Sequence, residues 1–358
     1  MKYEKTIWDL YTELFNDPST WKYYSDFSVG KYNLENIMNN GDEAIRFIKE
    51  YFQLGGKYEI VHDISCYCTP ERARHSISTF FLGILLMPLF TKQYRNKQMP
   101  FDNFFLWLWF LTCLYHDMAY KIEEDKTNLL SLDKFMSRRK MKYKIIGDSK
   151  IKLKGANKKT VQAYYQYRIK ECNCVDHGIT GGLLLYDSLR KNYEKVYNEY
   201  APNINGGHDD FTWNNLHFSV SHFREYEKCA NAIIQHNLWF MAKENDGYMK
   251  YKKYHLEDLT YMPDSKPYYQ DWLTALLVFC DTIEPIKRFN SCLPSSILKK
   301  IKLQFDDNEE YLKIFFTDTC MDTMPYSRSI LDMKEWTNLL IKREGDTISI
   351  LNINKMYK

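Results

Sequence analysis

Six polar residues in this 358-residue chain stand inside apolar stretches that predict buried helices. They are His75, His116, Asp117, His177, His236 and Asp281. A lone buried histidine is usually a hydrogen-bonded core residue, but residues on five separate helices would each need a partner of their own. Imidazole and carboxylate groups together suit a divalent transition metal, and long spacings suit a site between the helices of a bundle. We therefore predict a buried metal centre.

The order and the local contexts of these residues resemble a known family. The contexts are RARHS at 72–76, HD at 116–117, HG at 177–178, AIIQHN at 232–237 and LLVFCDTIEP at 276–285. The HD dipeptide alone is a weak motif, whereas the ordered set is a specific one. Over about residues 70–285 it resembles the HD superfamily of metal-dependent phosphohydrolases.

This resemblance implies a set of ligands and a chemistry. It makes His75, His116, Asp117 and Asp281 the ligands of a first metal, and it makes His177 and His236 the additional histidines of two-metal members, in which the HD aspartate is the bridge. It implies two divalent ions, Mn, Fe, Zn, Ni or Co, with Mg as a further candidate. Such ions share an activated hydroxide and clamp a phosphoryl group. The resemblance thus implies hydrolysis of a phosphoester or phosphoanhydride in a nucleotide-like substrate, with Asp117 also counted among the catalytic residues.

The sequence departs from the best-marked branches of that family. Residues 118–121 after the HD pair read MAYK, so neither the HDxxED run of guanosine-tetraphosphate hydrolases nor the HDxGHxPFGH run of dNTP triphosphohydrolases is present. The GYP extension of cyclic-di-GMP phosphodiesterases is also missing. The sequence therefore leaves the substrate unidentified.

Three residues near these motifs are further candidates for the site. Arg72, one turn before His75, could bind a substrate phosphate bidentately, or it could form an ion pair with Glu71 or Asp176. Lys121, four residues after Asp117, could reach a phosphate from the same helix face, although a solvated lysine is the commoner outcome. Asp176 could orient His177 or cap the helix that follows.

His222 precedes His236 by 14 residues, nearly four helical turns, and could lie on the same face. There it could act as a proton donor to the leaving group or as another ligand. His217 and His208 are weaker candidates of the same kind.

The elements that must position these residues predict a mainly α protein. The run FFLWLWFLTCLYHDMAYK at 104–121 predicts a core helix over 102–121 that carries the HD pair, since its dozen apolar residues are too few to cross a bilayer, which needs about 20. Further helices are expected at about 70–88, 216–240 and 269–283, with a loop at 201–215. Alternating residues after 300 predict a hairpin, followed by a helix from Ser329 and a strand over 347–353.

These elements predict three parts. Residues 1–60 form an N-terminal helical cap, residues 61–290 an HD-type helical domain with a basic insert at about 124–170, and residues 291–358 a small α+β subdomain.

The basic insert is the feature that suggests a macromolecular partner. The chain has a net charge of +3, but residues 138–170 hold 12 Lys or Arg and one acid. Tyr143, Tyr164, Tyr165 and Tyr167 are interleaved with these charges, and stacking plus phosphate neutralisation is how single strands bind. Nucleic-acid binding, a lid over a nucleotide and a solvated insert are the alternatives, and the last is the leading one.

Composition predicts a cytoplasmic protein that does not bind membranes. Nine scattered cysteines without a CxxC pair are expected to be reduced thiols. The N-terminal residues MKYEKTIWDLYTELF lack the apolar region of a signal peptide, and no run of 18 apolar residues is evident.

Two other functions compete with the hydrolase. One is a metal-containing module that senses a nucleotide or docks on a partner without turnover, and the other is a single-strand nuclease that uses the basic insert. The oligomeric state is left open.

Overall fold

The computed structural model describes residues 4–21, 28–91, 101–145, 158–199, 205–269, 271–289, 292–306, 311–317 and 323–356. The prediction of a mainly α protein is confirmed, since these residues form sixteen α-helices and ten short strands. The helices are α1 Ile7–Asn16, α2 Pro18–Trp21, α3 Leu34–Asn39, α4 Gly41–Leu54, α5 Tyr58–Tyr67, α6 Pro70–Thr91, α7 Phe101–Cys113, α8 Tyr120–Glu124, α9 Leu132–Arg138, α10 Lys158–Cys172, α11 His177–Glu199, α12 His222–His236, α13 Tyr248–Lys253, α14 Trp272–Ile283, α15 Pro294–Lys299 and α16 Met324–Trp336. The strands are β1 Lys5–Thr6, β2 Asn205–Gly207, β3 Asp210–Trp213, β4 Leu216–Ser219, β5 Met241–Ala242, β6 Thr260–Tyr261, β7 Ile301–Asp306, β8 Tyr311–Phe316, β9 Leu340–Glu344 and β10 Thr347–Leu351.

The core is a bundle of α6, α7, α11, α12 and α14, whose apolar side chains form one continuous cluster. Close helix contacts depend on small residues. A Cβ on Gly83 of α6 would lie 2.0 Å from the Trp109 ring of α7, and a Cβ on Gly182 of α11 would lie 2.4 Å from the Ala230 carbonyl of α12. The Trp109 indole donates a hydrogen bond to the Phe80 carbonyl at 2.9 Å, so its one polar group is satisfied inside the core.

Side-chain caps begin two of the bundle helices that carry the site. Asp176 accepts a hydrogen bond from the Ile179 amide at 2.8 Å and thereby starts α11 at His177. Asp271 accepts from the Thr274 amide at 2.8 Å and starts α14 at Trp272, three residues later than the sequence suggested. These caps satisfy amides that have no partner within the helix.

The predicted continuous helix over 102–121 is wrong. α7 ends at Cys113, residues 114–119 form turns, and α8 begins at Tyr120. Tighter hydrogen bonds replace the α-helical ladder here, with the Met118 amide bonded to the Tyr115 carbonyl at 3.1 Å. The HD pair therefore lies in a buried turn at the end of the apolar helix.

The predicted loop at 201–215 and helix at 216–240 are also wrong in part. The described residues from 205 form a three-stranded antiparallel sheet, β2-β3-β4, and α12 begins only at His222. Asn214 and Asn215 make the two-residue turn between β3 and β4, with φ values of 48° and 60°. Asn tolerates this left-handed conformation, which is the one that such hairpin turns require. Residues 201–204 lie outside the described part.

The C-terminal residues form a five-stranded antiparallel sheet in the order β1-β7-β8-β10-β9. The predicted β7–β8 hairpin is confirmed, with Leu303 opposite Ile314. The helix that was expected from Ser329 starts at Met324, β10 ends at Leu351, and β9 was missed. β1 pairs with β7, so residues from the predicted N-terminal cap complete the C-terminal sheet.

The basic insert is partly helical. α9 and α10 lie within it, whereas residues 146–157 lie outside the described part of the chain. Tyr164 and Tyr165 are buried in the main core, so the idea that they stack on nucleic-acid bases is wrong for these two rings. The Tyr143 ring is occupied by the Arg190 guanidinium, 4.3 Å from its centroid.

One helix among the described residues, Pro70–Phe90 within α6, is long and apolar enough to cross a bilayer. By length and composition, the expectation that the chain has no apolar stretch of this kind is therefore wrong. However, 72% of its most apolar stretch is buried within the protein, and core helices of globular proteins commonly meet the same criteria.

Candidate metal centre

The six sequence-predicted ligands come together in two groups that share Asp117. His75, His116, Asp117 and Asp281 form the first group, and Asp117, His177 and His236 form the second. Within each group the ligand atoms lie within 4.8 Å of one another. They are supplied by α6, the turn after α7, the first residue of α11, the last residue of α12 and the last turn of α14. All except Asp281 are buried.

The first group is compact. His75 Nε2 lies 2.9 Å from Asp281 Oδ1 and 3.5 Å from Asp117 Oδ2. His116 Nε2 lies 3.4 Å from Asp117 Oδ1 and 3.4 Å from Asp281 Oδ1. Two atoms that each lie about 2.1 Å from one ion, at angles of about 90–110°, are about 3.0–3.4 Å apart. The first group therefore fits a single ion.

The second group is somewhat wider. Asp117 Oδ1 lies 3.5 Å from His177 Nε2 and 3.9 Å from His236 Nε2. The same Oδ1 atom also faces His116, so one carboxylate borders both groups. This is the arrangement expected of a carboxylate shared by two ions.

All four histidines are oriented through Nδ1. The neighbouring atoms are Glu284 Oε2 for His75 at 2.7 Å, the Cys113 carbonyl for His116 at 2.6 Å, Glu123 Oε2 for His177 at 2.5 Å and the Ile233 carbonyl for His236 at 2.6 Å. Each Nδ1–H then donates to its acceptor and leaves the Nε2 lone pair directed at the centre, as in metal sites. His116 Nε2 is buried and has no hydrogen-bond partner within the described residues. The donor set therefore suits a metal ion.

Both aspartates have pKa values below their usual range. Desolvation alone would raise the pKa of Asp117, but the positive charges of the surrounding histidines, led by His116, outweigh it. Desolvation also opposes ionisation of Asp281, but the positive charge of Lys287 outweighs it and lowers the pKa. Both carboxylates are thus ionised at neutral pH and available as ligands.

The histidines differ in their protonation. Burial lowers the pKa of His236 to about 3, and the charges of His177 and His116 act in the same direction, so this imidazole is neutral at pH 7. Burial also opposes the charged forms of His75 and His177, but hydrogen bonds to carboxylates prevail and raise both pKa values. Protons therefore compete with a metal ion more strongly at His75 and His177 than at His236.

Two cationic side chains contact the ligand carboxylates. Arg72 Nη1 lies 3.2 Å from Asp117 Oδ2, so Arg72 pairs with a candidate ligand and not with either of the acids first considered, Glu71 and Asp176. Its guanidinium also stacks on Tyr120, 3.4 Å from the ring centroid, and Tyr120 stacks on His177 with centroids 4.0 Å apart. The second cation is Lys287, whose Nζ donates to Asp281 Oδ1. The centre is thus flanked by two potential phosphate-binding cations.

Two of the weaker candidates form no hydrogen bond or ion pair with the candidate ligands among the described residues. Lys121 is exposed in α8, and its ammonium makes no hydrogen bond or ion pair with another described residue. The helix break before it removes the argument that it shares a face with Asp117. His222 begins α12 and His236 ends it, so they are separated by about 21 Å along the helix. The His222 ring packs on Trp107, with centroids 5.1 Å apart. His222 is therefore not at the site.

The remaining candidates have structural partners elsewhere. Asp176 caps α11 and accepts from Asn237 at 2.7 Å, while Glu123 takes the role of orienting His177. His217 lies on β4 and contacts Asp210, and His208 lies beside Asp209 at the surface.

Sequence reasoning missed three residues beside the site, namely Glu123, Glu284 and Lys287. Glu284 had a signal, because it falls inside the LLVFCDTIEP context. Glu123 follows Asp117 by six residues and Lys287 follows Asp281 by six, but nothing in the local pattern distinguishes them from surface charges.

No protein-family model, curated protein or solved structure matched the chain.

Proposed function

We propose that the protein is a metal-dependent phosphohydrolase with an HD-type helical bundle. It hydrolyses a phosphoester or phosphoanhydride bond of a nucleotide-like substrate. The observation that carries this proposal is the sharing of Asp117 between two groups of ligand atoms. Two divalent ions held there would supply an activated water as the nucleophile and neutralise charge on the phosphoryl group.

The chain's own residues support this chemistry in three ways. The acceptors at Nδ1 hold the imidazoles in one orientation, so the ligand atoms are preorganised. Burial of the ligands keeps the centre in a medium of low polarity, where charge interactions are strong. Arg72 and Lys287 present donors beside two different ligands, Asp117 and Asp281, where they can bind the oxygens of an anionic substrate.

The first test measures metal content and activity on the same sample. Purified protein is loaded with Mn²⁺ and assayed on phosphomonoesters, cyclic nucleotides, dNTPs and single-stranded oligonucleotides. We expect turnover of one class of small substrate, and we expect a His116→Ala, Asp117→Ala double variant to lose metal and activity together. Asp246→Asn, which changes an exposed carboxylate, is the matched control. Activity that persists in the metal-free double variant would contradict the proposal.

The same screen separates the competing functions. A sensing or docking module would bind one of the compounds and turn over none of them. A nuclease would act on oligonucleotides and lose that activity when the lysines of residues 138–159 are neutralised, while small esters would be unaffected. The burial of Tyr164 and Tyr165 removes one of the arguments for the nuclease.

A further inference from the structure

Lys287 contacts the metal-facing oxygen of a candidate ligand. Its ammonium donates to Asp281 Oδ1. That same oxygen lies 2.9 Å from His75 Nε2 and 3.4 Å from His116 Nε2, which are the other donor atoms of the first group. A lysine bonded to the carboxylate oxygen that faces away from the ion would only orient the ligand. A lysine bonded to Oδ1 adds a positive charge at the position where the ion would bind.

The position of Lys287 is fixed by a residue that also holds a ligand. Glu284 is fully buried and accepts from the Ile286 amide at 2.9 Å and from the Lys287 amide at 3.3 Å. The same carboxylate contacts His75 Nδ1 at 2.7 Å and accepts from Ser78 at 2.6 Å. The Glu284 carboxylate thus holds both the backbone of Lys287 and the imidazole of His75, so the position of the lysine is fixed relative to the candidate ligands.

The Lys287 side chain nevertheless retains some freedom. It is 17% exposed, and Asp281 is 21% exposed, whereas Asp117 is only 2% exposed. Asp281 is therefore the more accessible of the two carboxylates. A four-carbon stem with a compact ammonium can turn from the carboxylate towards a ligand that arrives from solvent.

From these contacts we propose that Lys287 has two successive partners. In the metal-free protein its ammonium neutralises Asp281 and competes with the first ion for Oδ1. Once that ion binds, repulsion between the two cations releases the ammonium, which then donates to a phosphate oxygen of the substrate. This inference rests on the proposed function and adds a phosphate-positioning residue to it.

The alternative is a purely structural ion pair that holds Asp281 in place. The two roles make opposite predictions for metal binding. If Lys287 competes with the ion, its neutralisation strengthens metal binding; if Lys287 only holds the ligand, its neutralisation weakens metal binding.

The test titrates Mn²⁺ into wild type, Lys287→Gln and Lys287→Arg by calorimetry, and then titrates inorganic phosphate into each Mn²⁺-loaded protein. For Lys287→Gln we expect about tenfold tighter binding of the first Mn²⁺ and about tenfold weaker binding of phosphate, in keeping with the strength of a charge-assisted hydrogen bond. Lys287→Arg keeps the charge, and its affinities for Mn²⁺ and for phosphate should stay close to those of wild type. Lys299→Gln, which breaks the surface pair with Glu35 at 3.2 Å, is the control and should change neither affinity.

The outcomes are separable. If wild type binds no Mn²⁺, the proposed function is overturned and this inference is overturned with it. If wild type binds Mn²⁺ but Lys287→Gln binds it equally or more weakly, only the competition is overturned. Unchanged phosphate affinity in Lys287→Gln overturns the role in positioning the substrate. Circular dichroism of each variant establishes that the comparison is between folded proteins.

Discussion

Replacing Asp117 by Asn should remove both metal ions at once, while changes to other ligands should remove one. Asp117 Oδ1 lies 3.4 Å from His116 Nε2 in the first group and 3.5 Å from His177 Nε2 in the second. His236 borders only the second group and Asp281 only the first. We therefore expect about two ions per chain in wild type, none in Asp117→Asn, and one in either His236→Ala or Asp281→Asn.

The same variants should differ in thermal stability by a predictable step. An ion present at 100 times its dissociation constant stabilises the folded state by about 2.7 kcal/mol. For 358 residues the unfolding entropy is about 0.75 kcal/mol per K, so each ion should raise Tm by about 4 °C and two ions by about 7 °C. Added Mn²⁺ should raise the Tm of wild type by the full amount and the Tm of His236→Ala and of Asp281→Asn by half of it. It should leave the Tm of Asp117→Asn unchanged.

Inductively coupled plasma mass spectrometry of Mn²⁺-loaded, desalted protein measures the number of ions per chain. Differential scanning calorimetry of the same samples measures Tm. Asp246→Asn is again the control, because it removes an exposed carboxylate and should behave as wild type. An Asp117→Asn protein that keeps one ion would refute the shared ligand. A His236→Ala protein that loses both ions would refute the division into two groups.

Three further predictions concern single buried groups. Glu123→Ala removes the carboxylate 2.5 Å from His177 Nδ1, and titration with Mn²⁺ should show about 10–100-fold weaker binding at the second group only. Burial lowers the pKa of Lys57 from 10.5 to about 8, so the folded state loses stability as pH falls from about 10.5 to about 8, and the loss is complete at pH 7. Lys57→Met should therefore be more stable than wild type at pH 7, by up to about 3 kcal/mol in urea unfolding. Equal stability of the two proteins would contradict the assignment. Burial raises the pKa of Asp63 to about 6, so the free energy of unfolding of wild type should fall by up to about 3 kcal/mol as pH rises from 4 to 8. The same fall in an Asp63→Asn variant would show that another group is responsible.

The candidate ligands could be selected from the sequence because residue type and apolar context are local properties. His75, His177, His236 and Asp281 each stand among residues that must be buried, and the fold brings them to one place. The partners at Nδ1 could not be found in this way. Two of them are backbone carbonyls, which every residue possesses, and the others are acids whose role depends on packing between elements.

The errors in secondary structure have a similar origin. The apolar run at 104–121 predicts a helix, but α7 ends at Cys113 and local hydrogen bonds between residues three apart replace the α-helical ladder in the HD turn. His222 does share α12 with His236, as turn counting assumed, but the count ignored the separation of about 21 Å along the helix axis. The β3–β4 hairpin was missed because its turn is Asn214-Asn215, without the glycine that usually marks such a turn.

The pairing of β1 with β7 has a consequence for how the chain is made. Lys5 lies opposite Leu303, so the first strand is synthesised nearly 300 residues before its partner. At about 5–20 residues per second, the ribosome needs about 15–60 s to cover that interval. Asp281 and Lys287 also follow most of the other site residues in the chain, so neither the sheet nor the centre can be completed until residues 281–303 have been synthesised.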